Sequence, residues 1–507
     1  MTYNACVDLL DRNLPSRRDK LAYIDDCGTY TYGELAERVY RFSNVLKGLG
    51  LSMETRVLLC LQDGIDFPVA ALGAMRAGMV PVMVSTLLRP AEFDFMLRDS
   101  RAQVLVVSER LLSSFTSVLE SQPFLREVIV SGTPVDGCQS MSALMAQTGR
   151  ECTPAPTVAD DACLWQYSSG STGNPKGTVH LHGSLARVAQ AYGGDVLGLT
   201  ANDLTFSAAK LFFGYGFGNG LIFPLAVGAT SVLMAERPTP EAVFARLLAY
   251  RPSVFYGVPT LYSGMLASSG SSRPQDLGLR LCVSAGEALP PHIGEQWRQR
   301  FGADILDGLG STEMLHIFVS NRPGSVRYGT IGSPVPGYQL RLLGDDGMPV
   351  ARGDVGELHV KGPTSAAGYW NNRPKTQATF LGEWTRTGDR CRQDDDGRFI
   401  YCGRSDDMLK VSGIYVSPFE VESVLGCHPA VREVAVVGHA DAAGLVKPKA
   451  FVVLAAGYEP TAAMAEELKS HARGEMAPHK YPRWIEFLTE LPKTATGKIQ
   501  RFRLRQI

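Results

Sequence analysis

The sequence predicts an α/β protein: a large N-terminal region of parallel-rich sheets covered by helices, followed by a small C-terminal α/β domain. Three observations predict it. Compact apolar runs of strand length alternate with helix-patterned stretches along most of the chain, the arrangement expected of a parallel sheet with helices on its faces. Glycine- and hydroxyl-rich turns follow directly on several of those runs, where the carboxyl ends of parallel strands place ligands. The length of 507 residues exceeds what one hydrophobic core supports, so two or more domains are expected.

Taken in order, Tyr30-Thr31-Tyr32 leads into an apolar-spaced helix over residues 33–39. Residues 56–61, 104–107 and 127–130 are compact apolar strands. The apolar stretch 67–88 is interrupted by Arg76, Pro68 and Pro81, which makes it helix-turn-strand in a core and not a membrane span. Residues 162–167 form a short buried strand, and residues 180–192 are expected to be helical. Strands follow at 280–284 and 304–307, and Asp394-Asp395-Asp396-Gly397 is a hairpin turn. A helix starts near Pro418, and strands at 434–437 and 450–454 belong to the small domain. There is no short-period repeat and no low-complexity tract.

Composition excludes several classes. Hydrophobic residues at 45% and charged residues at 20% place the chain among soluble globular proteins. A net charge of −1 argues against broad nucleic-acid or membrane-surface binding. Residues 1–6 lack a basic stretch followed by an apolar core, so no signal peptide is expected. Ten cysteines are scattered without a C-x-x-C pair or metal-ligand spacing, which predicts reduced thiols in the cytoplasm.

The most informative stretch is Ser168-Ser169-Gly170-Ser171-Thr172-Gly173-Asn174-Pro175-Lys176-Gly177. Glycines let backbone N–H groups turn towards an oxyanion, hydroxyls add donors, and Lys176 supplies a mobile charge. It is not a Walker A loop, because Pro175-Lys176-Gly177 stands where Gly-Lys-Ser/Thr would be needed. Lys210-Leu211-Phe212-Phe213-Gly214-Tyr215-Gly216-Phe217-Gly218-Asn219-Gly220 makes an apolar, closely approachable wall suited to a flat ligand. Two strand ends run into Ala285-Gly286-Glu287 and into Asp307-Gly308-Leu309-Gly310-Ser311-Thr312-Glu313. Later come Gly368-Tyr369-Trp370-Asn371, Thr387-Gly388-Asp389, Gly403-Arg404-Ser405-Asp406-Asp407, and the tail Pro492-Lys493-Thr494-Ala495-Thr496-Gly497-Lys498.

In this order the motifs resemble those of the adenylate-forming superfamily: acyl- and aryl-CoA ligases, luciferases, and adenylation domains that load carrier proteins. The likeness runs from about residue 20 to the end. It implies a large domain over residues 1–404 and a small mobile domain over 405–507 that rotates about Asp406. It also implies that Ser168, Ser169, Gly170, Ser171, Thr172, Gly173 and Lys176 wrap the ATP phosphates, and that Gly286, Glu287, Asp307 and Gly308 border the nucleotide. Thr312 would contact phosphate, Glu313 would hold Mg²⁺, and Asp389 and Arg404 would hold the ribose. Lys498 would be delivered to the reacting carboxylate, while Lys410, Ser412 and Gly413 would line the path of the thiol. Where many members carry an aromatic residue two positions before Ser311, this chain has Leu309, so adenine stacking there is not implied.

Within the superfamily the chain is most similar to benzoate-type CoA ligases, through Lys210 to Gly216 and Ser311-Thr312-Glu313-Met314-Leu315-His316-Ile317. That likeness places Gly214, Tyr215, Ala285, Gly310, His316 and Ile317 around an aryl ring. Gly214, where many benzoate enzymes have alanine, would add room for a ring hydroxyl or amino group, with His316 or Tyr215 as its hydrogen-bond partner. The expected substrates are an aryl acid, ATP and coenzyme A, in a monomer or homodimer that binds neither nucleic acid nor membrane. Loading of a carrier-protein pantetheine is the alternative. Attack of a carboxylate on ATP brings two anions together, so the chemistry needs cations and donors rather than a general base.

Overall fold

The computed structural model describes residues 1–168, 175–268, 274–405, 407–411, 414–441, 445–493 and 499–507. A mostly parallel sheet of nine strands includes, in spatial order, Ile305–Gly310, Leu281–Ser284, Val254–Gly257, Leu204–Ser207 and Thr230–Val232. A second sheet of eight strands carries Lys176–Leu181, Ala162–Ser168, Val80–Met83, Arg56–Cys60, Val104–Ser108 and Glu127–Ser131 in that order.

The two-residue period of a strand explains how the layers stack. Tyr256 and Val283 point into one central core, whereas their neighbours Phe255 and Cys282 point away from it into an outer one. Val57, Leu59 and Val104 of the second sheet share the central core, while Leu58 and Leu105 face a third. Helices Tyr32–Gly48, Asp66–Arg76 and His182–Val188 fill the central layer. Helices Pro240–Tyr250, Pro259–Ser268 and Pro291–Phe301 cover the first sheet on its far side, and Pro90–Ser100 covers the second. Strands buried on both faces read as continuous apolar runs, which is why they were legible.

Local chemistry sets the helix starts. Thr31 accepts the Glu34 N–H at 3.2 Å while the Glu34 carboxylate accepts the Thr31 N–H at 2.8 Å, a reciprocal cap on Tyr32–Gly48. Ser417 caps Pro418–Gly426 by accepting the Glu420 N–H on its hydroxyl, with proline at the first helical position. Beyond a five-stranded antiparallel sheet, the C-terminal part folds around strands Val431–Ala440, Val446–Leu454 and Trp484–Phe487. Its helices Pro418–Gly426 and Ala462–Glu475 pack on one face, and Leu504 of the short terminal helix on the other.

One expectation changes. Residues 180–192 are not one helix: the strand Lys176–Leu181 continues through His180, a helix covers His182–Val188, and Ala189–Gly194 is wound as a π-helix. Pairing of Ala162 with Leu181 and of Gly368 with Val179 extends the strand beyond what local propensity specifies. Within the stretch 210–220, Gly214–Phe217 is α-helical and leads into the π-helical Gly218–Ile222, so its later aromatic residues stand on a helical segment. No described helix is long and apolar enough to cross a membrane.

Candidate active site

The hairpin of Ala162–Ser168 and Lys176–Leu181 organises the polar half of the site. Its register pairs Ser168 with Lys176 and Gln166 with Thr178, so these four side chains share one face. Gly368–Tyr369 adds to the outer edge, opposing Tyr369 to Thr178. The Tyr369 hydroxyl thereby reaches Glu313, donating to its Oε1 at 2.7 Å, and the Lys176 ammonium lies 4.7 Å from the Tyr369 ring centroid. Burial lowers the Lys176 pKa, an effect that the nearby Glu313 carboxylate opposes. Burial and the same carboxylate raise the Tyr369 pKa far above the ordinary phenol, so it remains a donor.

Thr312 and Glu313 lie on a single 3-10 turn after the strand Ile305–Gly310. The turn is clamped from three sides. His180 Nε2 meets the Thr312 carbonyl at 2.7 Å, Ala366 N–H donates to the Glu313 carbonyl at 2.8 Å, and Thr364 Oγ1 donates to the Met314 carbonyl at 2.7 Å. Burial lowers His180 to about 4, so its ring is neutral and carries the proton on Nε2. Leu315 then adopts φ +70°, a strained conformation for a branched side chain that is held by its burial.

Asp389 and Arg404 are cross-strand partners, joined at 3.1 Å, and Arg404 also donates to the Thr387 carbonyl at 3.0 Å. Burial raises the Asp389 pKa against the pull of Arg404, and Glu313 is close enough to raise it further. Ser284 and Asp307 are paired in register on neighbouring parallel strands, so Gly286 and Glu287 lie at the same strand ends as Asp307 and Gly308. Burial pushes the Asp307 carboxyl up to about 8 while its Oδ2 accepts the Leu289 N–H at 3.2 Å.

The apolar half of the site is built on His316. Its ring lies 5.5 Å from Tyr215, 5.3 Å from Tyr192 and 4.7 Å from Phe223, and its Nε2 meets Asn219 Oδ1 at 3.1 Å. Burial lowers its pKa to about 3, leaving it neutral. Gly218 permits the approach, since a Cβ there would lie 2.5 Å from His316 Cδ2. Ile317 pairs with Gly310, and Ala285 is buried at the end of its strand. The Tyr215 hydroxyl donates to the Val283 and Gly257 carbonyls at 3.1 and 3.2 Å. The Tyr215 hydroxyl is therefore already engaged, whereas His316 keeps its buried Nδ1 without a partner among the described residues. The expected space at Gly214 is also bounded: a Cβ there would lie 2.8 Å from Gln166 Oε1 and 3.0 Å from the Leu315 carbonyl.

The structure thus brings Lys176, Thr312, Glu313, Asp389 and Arg404 into one electrostatic neighbourhood beside Tyr215, His316 and Ile317. Ser169, Gly170, Ser171, Thr172, Gly173, Asp406, Ser412, Gly413, Lys498 and the side chain of Lys410 lie outside the described residues. Sequence reasoning assigned no role to Gln166, His180, Asn219 or Tyr369. Only alternation along the hairpin could have pointed to Gln166 and His180. No group of three or more metal-ligating side chains occurs among the described residues. A lone carboxylate beside a hydroxyl residue suits Mg²⁺, which takes one or two carboxylates and completes its shell with substrate phosphates.

Residues 10–370 match the family model of the AMP-binding enzyme, and residues 420–498 match that of the AMP-binding enzyme C-terminal domain. The chain belongs to the AMP-binding enzyme family. As an AMP-binding enzyme it is similar to a benzoate–CoA ligase of Thauera aromatica, 57% identical over 99% of this chain and 96% of that protein. A 4-hydroxybenzoate–CoA/benzoate–CoA ligase of Rhodopseudomonas palustris is 48% identical over 100% of this chain and 94% of the relative. Among solved AMP-binding enzymes, a benzoate CoA ligase from Burkholderia xenovorans superposes with a TM-score of 0.93 at 52% identity, covering 99% of this chain and 100% of that one. An anthranilate CoA ligase in complex with anthranoyl-AMP gives 0.96 at 43% identity, covering 100% and 97%.

Proposed function

We propose that this protein is an ATP-dependent aryl-CoA ligase acting on benzoate or a hydroxybenzoate. The observation that carries the reading is the junction of two environments. The Lys176–Tyr369–Glu313 cluster and the Asp389–Arg404 pair stand beside the buried aromatic cluster of Tyr215 and His316. Relatives named as benzoate–CoA and hydroxybenzoate–CoA ligases support the substrate class and favour free CoA over a carrier protein as acceptor.

In the first half-reaction a carboxylate oxygen bonds to the α-phosphorus of ATP, the bond to the β-phosphate breaks, and pyrophosphate leaves with the electron pair. Lys176 and the loop after Ser168 take the role of neutralising that leaving group, Thr312 contacts phosphate, and Asp389 with Arg404 holds the ribose. Glu313 is the residue that would hold Mg²⁺, which supplies charge neutralisation on the phosphates when bound. In the second half-reaction the CoA sulfur bonds to the acyl carbon, the bond to AMP breaks, and the thiol proton leaves to solvent. Residues 405–507 act as a small domain turning about Asp406 between the two steps, bringing Lys498 in for the first and Lys410, Ser412 and Gly413 for the second. Ten free cysteines support a reducing, cytoplasmic setting, and the working unit is a monomer or homodimer.

Purified protein mixed with ATP, Mg²⁺ and a panel of benzoates should release pyrophosphate, and added CoA should yield the thioester. Pyrophosphate release no greater than in an acid-free control would refute the reading. Release without thioester on CoA would move the acceptor to a carrier protein.

A further inference from the structure

Gln166 is 2% exposed, and neither end of its amide has a hydrogen-bond partner among the described residues. It lies on the strand Ala162–Ser168 two residues before the phosphate-binding stretch, on the face shared with Ser168, Thr178 and Lys176. Its Oε1 borders Gly214, the residue beside Tyr215, from across the space that a Gly214 side chain would fill. The other boundary of that space is the Leu315 carbonyl, immediately before His316. A buried amide left without partners forfeits its hydration with nothing in return, so such a group in a ligand pocket marks where a ligand's polar atom sits.

Resting on the aryl-CoA ligase reading, we infer that Gln166 is a specificity-determining residue: its amide hydrogen-bonds a hydroxyl or amino group on the ring of the bound acid. Three observations converge on it. The Tyr215 hydroxyl is directed at two backbone carbonyls and His316 Nε2 at Asn219, which leaves His316 Nδ1, an acceptor only, and the Gln166 amide as the unpartnered polar groups of Tyr215, His316 and Gln166 among the described residues. The amide offers one acceptor oxygen and two N–H donors, which matches a phenolic hydroxyl or an aromatic amine in either direction. The absence of a side chain at Gly214 lets the carboxamide oxygen approach where a Cβ would lie 2.8 Å from it, a role distinct from simply enlarging the site.

The test compares kcat/KM for benzoate with those for the ortho, meta and para hydroxy- and aminobenzoates, read by pyrophosphate release. In Gln166→Leu, at least one substituted acid should lose about tenfold or more while benzoate stays within about threefold, because only the substituted acid loses a partner. Gly214→Ala places a methyl against Gln166 Oε1 and should penalise the same acid, and the double variant should lose less than the product of the two single losses. Gln166→Met, which keeps the length without the amide, gives the same comparison if the leucine variant fails to fold. An equal fall for every acid would place Gln166 on the carboxylate or in structural support, and unmoved ratios would remove it from the site; either overturns the inference. Wild-type protein releasing no pyrophosphate with any of these acids would instead overturn the ligase reading itself.

Discussion

Tyr369→Phe isolates one interaction in the polar half of the site. The substitution deletes the hydroxyl that donates to Glu313 Oε1 at 2.7 Å and leaves the rest of the residue's contacts in place. The ring still packs 5.4 Å from Phe380 and still faces the Lys176 ammonium, and the backbone still pairs with Thr178. Because burial and Glu313 raise the Tyr369 pKa, the hydroxyl is a donor at every working pH and its loss is not confused with titration. A hydrogen bond to a charged acceptor is worth roughly 1.5–3 kcal/mol, which corresponds to about 10- to 150-fold in rate if the bond holds Glu313 in its working position. The assay is kcat/KM for ATP in benzoate-dependent pyrophosphate release at saturating Mg²⁺, compared with CoA transfer from supplied benzoyl-adenylate. The first should fall within that range and the second should change little. A fall below about threefold in the first, or an equal fall in both, would refute the argument that this phenol positions Glu313 for adenylation.

Gly218→Ala drives a methyl into His316 Cδ2 at 2.5 Å, and overpacking of this kind costs ~1–3 kcal/mol, so the urea midpoint should drop; an unchanged midpoint would show that the pocket yields freely. His182, buried and accepting the Ala5 N–H at 3.1 Å, has its pKa lowered by burial from 6.5 to about 4. The folded state therefore binds fewer protons than the unfolded state in that window, and its contribution is present above pH 6.5 and lost as pH falls towards 4. The stability difference between wild type and His182→Gln should shrink by about 1.4 kcal/mol per pH unit there, and a pH-independent difference would contradict it. Lys498→Ala, chosen from the tail motif, should suppress pyrophosphate release and spare transfer from supplied acyl-adenylate; equal loss in both would count against two working conformations.

Features that depend on neighbours in the chain were legible without coordinates. The apolar strands, the turn at Asp394-Asp395-Asp396-Gly397 and the helix start at Pro418 each rest on a few adjacent residues. The order of motifs was legible too, because glycine, hydroxyl and lysine chemistry is written locally. Tertiary structure decided what crosses the chain. Tyr369 reaches Glu313 over 56 positions and His316 meets Asn219 over 97, contacts set by tertiary packing that leave no local pattern. Residues 180–181 were taken from helix into strand because edge pairing outweighs propensity. Gly214 could be read from sequence as empty space, but only the fold shows that the space ends at the Gln166 amide, which has no partner among the described residues. Sequence by itself determined the chemistry this chain carries; packing decided which polar atoms are occupied and which stay free for a ligand, because hydrogen-bond satisfaction in a buried site is a property of three-dimensional neighbours.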